Sequence, residues 1–360
     1  MGTTPAPKGQ LQEEHYVVAL KIISLALIIF VGILGNSVVI YTVLRERKLH
    51  RPPFYYLMSL SVADLARTVF CLPFVLSTVI HGSTWTHGHS VCTLLAFTNS
   101  FFVYSSMFAL FTISVDRHLA VVYAKFHRKK SRGLVCLAVI IVMWGVSFVI
   151  SFSPVVGLGT YTFKPLEAQC TFDHRYYRDN DTLGFIVVFA LIMFAVVFIY
   201  TRIFLFMRTH RKLRPLVHQP ARSSNWTFVG PGANGQAVIN WLNGFMGGPP
   251  NPFVMALQNQ PRTFGRVVNL RIIRNEHLTR LFFVVTVVFD LLWCPYLLLS
   301  FWQTFDWNRS PPPLFVILAT WSSYLQVALN PIAYMCCKSS FRKAMRATVN
   351  AYHRPNSLTE

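Results

Sequence analysis

Long apolar stretches recur along the chain and alternate with short polar segments that carry most of the charged residues. Each stretch contains about 20 residues or more, the length that an α-helix needs to cross a bilayer. Backbone groups cannot stay unpaired in hydrocarbon, so the stretches are predicted to be helices. The predicted spans are residues 17–44, 54–80, 90–115, 133–157, 182–204, 281–303 and 312–336. The pattern therefore predicts an all-α membrane protein built as a seven-transmembrane helix bundle.

The basic residues lie in alternate connections between the predicted spans. Lysines and arginines cluster at 45–51, 125–132, 208–214 with 271–280, and 338–346, whereas the connection 81–90 contains neither. The positive-inside rule places the basic connections and the C-terminus in the cytoplasm and residues 1–15 outside the cell. This distribution accounts for the net charge of +20 without a nucleic-acid partner.

The composition agrees with a membrane protein and excludes several other classes. Hydrophobic residues make up 53% and charged residues only 13% of the chain, about half the share usual for globular domains. The 7 cysteines are too few and too scattered for a disulfide scaffold or a metal cluster. No cofactor is predicted.

The membrane domain is predicted to cover residues 16–337, with one long cytoplasmic insertion at 211–273. This insertion is rich in Gly, Pro, Asn and Gln, a composition that favours a flexible loop, although it contains several aromatic residues between 226 and 245. In the tail, 338–360, apolar residues recur at helical spacing among bases. This pattern predicts a short amphipathic helix on the inner leaflet.

Polar residues and prolines inside the spans form a series of short motifs. In chain order they are Gly35-Asn36, Leu60-Ser61-Val62-Ala63-Asp64-Leu65, Cys92 with Asp116-Arg117-His118, Trp144 with Pro154, Phe289 with Trp293-Cys294-Pro295, and Asn330-Pro331-Ile332-Ala333-Tyr334. Together, in this order and on these spans, they resemble the rhodopsin-like G-protein-coupled receptors, and the match covers every span.

Four further stretches are similar to the superconserved receptors expressed in brain, a small group of orphan receptors. They are 82–86, 169–181, the cytoplasmic run 225–242 and Asp64-Leu65-Ala66-Arg67. Asp116 departs from the pattern of that group, which lacks an acid before the arginine of the third span. The resemblance implies an orphan-type receptor and does not identify a ligand.

The resemblance implies a plasma-membrane receptor that signals to a heterotrimeric G protein when its sixth helix moves outward, with arrestin as a further candidate partner. Asp116 would hold Arg117 until that movement releases it, and prolines in the spans would supply the hinges. The residues assigned to coupling and activation are Asp116, Arg117, Tyr200, Phe289, Trp293, Pro295, Asn330, Pro331 and Tyr334. Cys92 and Cys170 both fall on the oxidising side, where a disulfide is expected and two free thiols are the alternative.

Arg67 is an unusual residue inside a span. It follows Asp64 by one turn, so both side chains share one helix face. In related receptors the matching aspartate holds a sodium ion. Our hypothesis is that Arg67 replaces that ion and pairs with Asp64, Asp290 or both; the alternative is an arginine that snorkels outward. The predicted internal polar network comprises Asn36, Asp64, Arg67, Ser106, Asp290 and Gln326.

A ligand pocket is expected between the spans, lined by Asn99, Tyr104, Trp293, Tyr296 and Tyr324. Asn99 stands where amine receptors have an aspartate, which argues against an amine ligand.

The sequon at Asn180 predicts an extracellular glycosylation site. A ligand-independent scaffold is an alternative function. A transporter or channel would need repeats or a lined pore, and an enzyme a catalytic cluster; the sequence shows neither pattern.

Overall fold

The computed structural model describes residues 15–124, 126–127, 133–173, 183–218, 262–305 and 310–337. Its α-helices are His15–Arg45, Pro52–Phe70, Leu72–Ile80, Gly88–Val122, Gly133–Phe152, Leu183–His218, Arg262–Phe305 and Pro313–Cys337. Short 3₁₀ turns occupy Arg47–Leu49, Ser153–Val156 and Pro165–Glu167, and two strands lie at Tyr161–Lys164 and Gln169–Phe172.

Seven helical segments of the described chain are long and apolar enough to cross a membrane. In chain order, and named here span one to span seven, they are His15–Arg45, Pro52–Ile80, Gly88–Val122, Gly133–Val156, Leu183–Thr209, Leu278–Phe305 and Pro313–Met335. Each overlaps one predicted span, so the predicted seven-helix architecture is confirmed.

The chain divides into two compact units, residues 1–201 with 279–360 and residues 202–278. In the second unit, residues 202–218 and 262–278 are helical, so helix covers both ends of the range assigned to the loop. The aromatic part of that loop, the amphipathic tail helix and the Asn180 sequon lie outside the described residues.

The bundle is apolar outside and polar inside. Leu27, Phe30 and Leu134 are 60%, 65% and 81% exposed, whereas the side chains of Asp64 and Asn330 are fully buried. A lipid solvent favours this arrangement, because polar groups find hydrogen-bond partners only among neighbouring helices. The informative side chains are therefore in the interior.

Span two is broken at Cys71 into a longer helix, Pro52–Phe70, and a shorter one, Leu72–Ile80. Pro73 has no amide hydrogen to continue the ladder, and the second helix starts at Leu72 with this proline in its first turn. The first helix closes where the amide of Cys71 donates to the Arg67 carbonyl at 2.9 Å. Arg67 therefore lies in the last turn before the break.

Spans one and seven approach each other closely at Gly35. A Cβ atom on this glycine would lie 2.6 Å from the ring of Pro331, so a larger residue would push the two helices apart. Next to it, the side-chain Nδ2 of Asn36 donates to the carbonyl oxygens of Gly32 and Val327, each at 2.9 Å. Asn36 thus joins spans one and seven rather than contacting Asp64 directly.

One end of the bundle bears an antiparallel hairpin, in which β1 (Tyr161–Lys164) pairs with β2 (Gln169–Phe172). A disulfide joins Cys170 of β2 to Cys92 of span three, with Cα atoms 5.4 Å apart, which confirms the expected pairing. The Tyr161 hydroxyl donates to the Ser151 carbonyl at 2.7 Å and fixes β1 to span four. We call this the hairpin end and the opposite one the Arg117 end.

Candidate functional site

The fully buried carboxylate of Asp64 lies at the centre of the polar interior. It accepts hydrogen bonds from Ser106 Oγ at 2.8 Å, Asn330 Nδ2 at 2.7 Å and Gln326 Nε2 at 3.0 and 3.1 Å. Its donors are neutral and come from spans three and seven. This arrangement satisfies a buried charge by hydrogen bonding, which low-dielectric interiors require.

The Arg67 side chain, only 1% exposed, extends from Asp64 toward the hairpin end. Its Nε donates to Asn99 Oδ1 at 2.9 Å, and its Nη1 donates to the Ser323 carbonyl at 3.1 Å and to Gln326 Oε1 at 3.4 Å. Gln326 therefore bridges the two charged groups: its oxygen accepts from Arg67 and its nitrogen donates to Asp64.

The structure does not show the direct ion pair of Arg67 with Asp64 or Asp290 that the sequence suggested. Within the described residues, no side-chain nitrogen of Arg67 lies within 4.0 Å of a carboxylate oxygen of Asp64 or Asp290. The i,i+3 spacing places Arg67 and Asp64 on one face, but the long arginine chain points away from Asp64, toward Asn99. Asp290 is half-buried and takes no part in this network.

Two aromatic rings flank the guanidinium. Its central carbon lies 5.3 Å from the ring centroid of Trp293 and 5.8 Å from that of Tyr324. Such cation–π contacts are strongest where the cation is desolvated, as it is here. Span six, which carries Trp293, is thereby in contact with the polar network of spans two, three and seven.

A cavity of about 620 Å³ lies on the hairpin side of Arg67. Four of the five predicted pocket residues line it, namely Asn99, Tyr104, Trp293 and Tyr296. Tyr324 does not; it is buried behind the guanidinium, and its hydroxyl donates to the Glu167 carbonyl at 3.3 Å.

Glu167, in the turn between β1 and β2, is a site residue that the sequence did not reveal. Its carboxylate is 1% exposed and accepts from Tyr296 Oη at 3.0 Å and Gln169 Nε2 at 2.9 Å. Burial raises the pKa of Glu167, although these two donors act in the opposite direction. The only signals in the sequence were an acid and an amide shortly before Cys170.

At the Arg117 end, the guanidinium of Arg117 is 3% exposed and pairs with the adjacent carboxylate of Asp116, with its Nε 3.0 Å from Asp116 Oδ2. His127 Nε2 lies 2.7 Å from Asp116 Oδ1. His127 was not predicted as a site residue, because nothing in a loop sequence shows that the chain folds back onto span three. The Arg117 guanidinium lies 6.0 Å from the Phe282 ring of span six.

The remaining predicted activation residues lie along spans five, six and seven. The rings of Phe289 and Trp293 are 6.0 Å apart, and Pro295 and Pro331 lie inside their helices. The side chain of Tyr200 is 4% exposed. The Tyr334 hydroxyl is buried without a hydrogen-bond partner among the described residues.

These features define a seven-helix receptor, and comparison with known proteins identifies its family. Residues 35–334 match the family described as 7 transmembrane receptor (rhodopsin family). The chain belongs to this family of membrane receptors.

Among its relatives, Probable G-protein coupled receptor 173 of Bos taurus is 38% identical over 96% of this chain and 94% of its own length. Probable G protein-coupled receptor 85 of Danio rerio is 37% identical over 92% of this chain and 90% of its own length. Probable G-protein coupled receptor 27 of Homo sapiens is 30% identical over 99% of this chain and 96% of its own length. These relatives support the resemblance to the orphan group.

The fold is similar to that in the crystal structure of squid rhodopsin, with a TM-score of 0.70, 20% identity, and coverage of 94% of this chain and 86% of that one. In the described residues, no three His, Cys, Asp or Glu side chains form a group that could hold a metal ion.

Proposed function

We propose that the protein is an orphan-type receptor that transmits a signal to a heterotrimeric G protein by outward movement of span six. The observation that supports this function most directly is the buried Asp116–Arg117 pair beside Phe282 of span six. Displacement of span six would expose Arg117 to a cytoplasmic partner. Pro295 interrupts the hydrogen-bond ladder of span six and favours bending there.

The test is nucleotide exchange by purified heterotrimers of each G-protein class with the full-length receptor in lipid nanodiscs. We expect exchange above that of empty nanodiscs for at least one class, and a loss of that increment in Arg117→Ala. Arg45→Ala, which removes an exposed arginine at the end of span one, is the matched control. Exchange that is unchanged in Arg117→Ala would contradict the proposal.

We also propose that the N-terminus is extracellular, that Asn180 carries a glycan, and that arrestin is a second partner. The basic residues in alternate connections support this orientation. The disulfide at the hairpin end also supports it, because disulfides persist in oxidising compartments. Epitope tags at the two chain ends, stained on intact and permeabilised cells, test the orientation; an N-terminal tag that needs permeabilisation would contradict it.

We further propose that Arg67 acts as an internal cation in place of a sodium ion at Asp64. Its positive charge lies one amide away from a carboxylate whose other partners are all neutral. The melting temperature of the receptor should then be the same in sodium and in choline chloride. Arg67→Ala should acquire a sodium-dependent rise, and such a rise in the unmodified protein would count against this role.

A further inference from the structure

Arg67 carries hydrogen-bond donors that the protein does not use. A guanidinium has five N–H groups, one on Nε and two on each terminal nitrogen. The Nε donor is bound to Asn99 and the two Nη1 donors to Ser323 and Gln326, whereas Nη2 has no acceptor in the described part of the chain. Because Arg67 also lines the cavity, these two donors are available to a molecule inside it.

Two neighbouring residues of the same cavity add further unused donors. The indole N–H of Trp293 is buried and has no hydrogen-bond partner among the described residues. Asn99 uses its oxygen to accept from Arg67, so its amide nitrogen is the group left for a ligand. A buried donor without an acceptor is unfavourable, and the indole N–H of Trp293 lies in the same cavity wall as the unused donors of Arg67 and Asn99. An acceptor bound in the cavity would satisfy it.

Two other hydroxyl groups on the cavity wall already donate hydrogen bonds within the protein. The Tyr104 hydroxyl donates to the Phe185 carbonyl at 3.0 Å, and Ser300 Oγ donates to the Tyr296 carbonyl at 2.9 Å. Much of the remaining wall is apolar or aromatic and includes Val103, Phe172, Phe189 and Leu297. The cavity therefore combines a donor-rich, cationic site with aromatic walls.

We propose that this cavity binds a compact aromatic carboxylic acid, whose carboxylate accepts hydrogen bonds from Arg67, Trp293 and Asn99. A carboxylate has two oxygens with about four acceptor positions, enough for this donor set, and it pairs with arginine in plane. This inference rests on the proposed receptor function, to which it adds the class of ligand.

The charges around the cavity favour an anion over a cation. Within the described residues Arg67 has no acidic group within 4.0 Å, and Gln326 separates it from the carboxylate of Asp64. Glu167 lies behind Tyr296 and is buried, and burial favours its neutral form. An amine would face the Arg67 guanidinium, whose charge repels a cation.

The test compares three probes of one shape: 4-biphenylacetic acid, its primary amide and 2-(4-biphenylyl)ethylamine. Their dissociation constants are measured by calorimetry with the full-length receptor in nanodiscs and without a G protein. We expect the acid to bind about tenfold more tightly than the amide, because charge-assisted hydrogen bonds are about twice as strong as neutral ones, and the amine to bind most weakly.

Two variants test the contacts. Arg67→Gln should abolish the preference for the acid. Trp293→Phe keeps an aromatic ring but removes the N–H, and it should raise the dissociation constant of the acid severalfold. Lys164→Gln, which removes a cation bound to Asp173 in the hairpin, should leave the preference unchanged. Equal binding of the three probes, binding of none, or an acid affinity that both variants preserve would overturn the proposal.

The binding assay contains no G protein, so it separates this inference from the proposed function. Acid binding without any nucleotide exchange would refute the coupling and leave the ligand class intact. Exchange without acid binding would refute the ligand class alone.

Discussion

The part of the chain that the structure describes contains two buried arginine–aspartate sites that are built differently. At Arg67 the two charged groups are separated by Gln326 and hydrogen-bonded mainly to neutral groups. At Arg117 the charged groups touch directly and a histidine completes the site. In the first site the bonds join spans two, three and seven, whereas in the second they connect span three with itself and with His127.

The Arg67 site is therefore a network that holds helices together, whereas the Arg117 site is a pair that can be released. A charge satisfied by donors on several helices holds those helices together, and breaking it leaves buried groups unpaired. Among the described residues, the hydrogen bonds of Arg117 go only to Asp116, and span six contacts it through the Phe282 ring. Movement of span six therefore breaks no hydrogen bond of Arg117 seen in the described part of the bundle.

The largest expected effect is on the network at Asp64. Asp64→Ala leaves the donors of Ser106, Gln326 and Asn330 without their acceptor and Arg67 without its bridged counter-charge. We expect a loss of about 3–5 kcal/mol in unfolding free energy, the range for breaking a buried charged site. The measurement is equilibrium unfolding in nanodiscs. Asp64→Asn, which keeps an acceptor, should lose clearly less; equal losses would show that hydrogen bonding at Asp64 is unimportant.

The second prediction concerns the bridge itself. If Gln326 transmits the interaction between Arg67 and Asp64, Gln326→Leu should destabilise the receptor less in an Arg67→Met background than in the unmodified chain. The expected coupling is about 0.5–3 kcal/mol, as for residues in one hydrogen-bond network. It is measured by a double-mutant cycle on unfolding free energies.

The control cycle pairs Gln326→Leu with Ser59→Ala, because Ser59 belongs to a separate contact with Trp144. This pair should be additive. A coupling between Gln326 and Arg67 no larger than the control value would contradict the bridge.

The sequence predicted the architecture well, because the bilayer imposes strong rules on length, polarity and charge. The seven spans and the Cys92–Cys170 disulfide followed from these rules and from the family motifs. Two members of the predicted internal polar network, Ser106 and Gln326, donate hydrogen bonds to Asp64 in the structure.

The missed features depend on side-chain direction or on how loops fold back. Helical spacing places Arg67 on the face of Asp64 but does not tell which way a long side chain extends, so the bridging role of Gln326 was not predicted. Glu167 and His127 reach their sites through connections without helical periodicity. The break in span two follows from Pro73, although the predicted span ran through it.

A smaller effect is expected at the Arg117 site. His127→Gln weakens the second contact of Asp116 and should favour the conformation in which Arg117 is released. We expect basal nucleotide exchange to rise about threefold, since one hydrogen bond contributes about 0.5–1.5 kcal/mol net. His50→Gln alters an exposed histidine that contacts the Leu44 carbonyl and serves as the control. A decrease in exchange would show that His127 supports the active state instead.

The smallest effect concerns the hairpin end. Burial raises the pKa of Glu167 in the folded protein, so the folded state binds its proton more tightly than the unfolded state does. Stability from this group is therefore complete below the ordinary glutamate pKa of about 4.3 and is lost as the pH rises through the folded value. We expect the melting temperature to fall by about 2 °C over this window, with a flatter profile in Glu167→Gln.

Tyr324 connects Glu167 to the Arg67 site: its hydroxyl donates to the Glu167 backbone carbonyl, and its ring flanks the Arg67 guanidinium. The pH experiment therefore also tests whether the Arg67 and Arg117 sites respond independently. If ionisation of Glu167 loosens the turn that holds Tyr324, the acid preference of the cavity should weaken as the pH rises, while basal exchange controlled by Arg117 should not follow the same profile. A profile shared by both readouts would mean that the two sites are coupled, and that the network around Arg67 takes part in releasing Arg117.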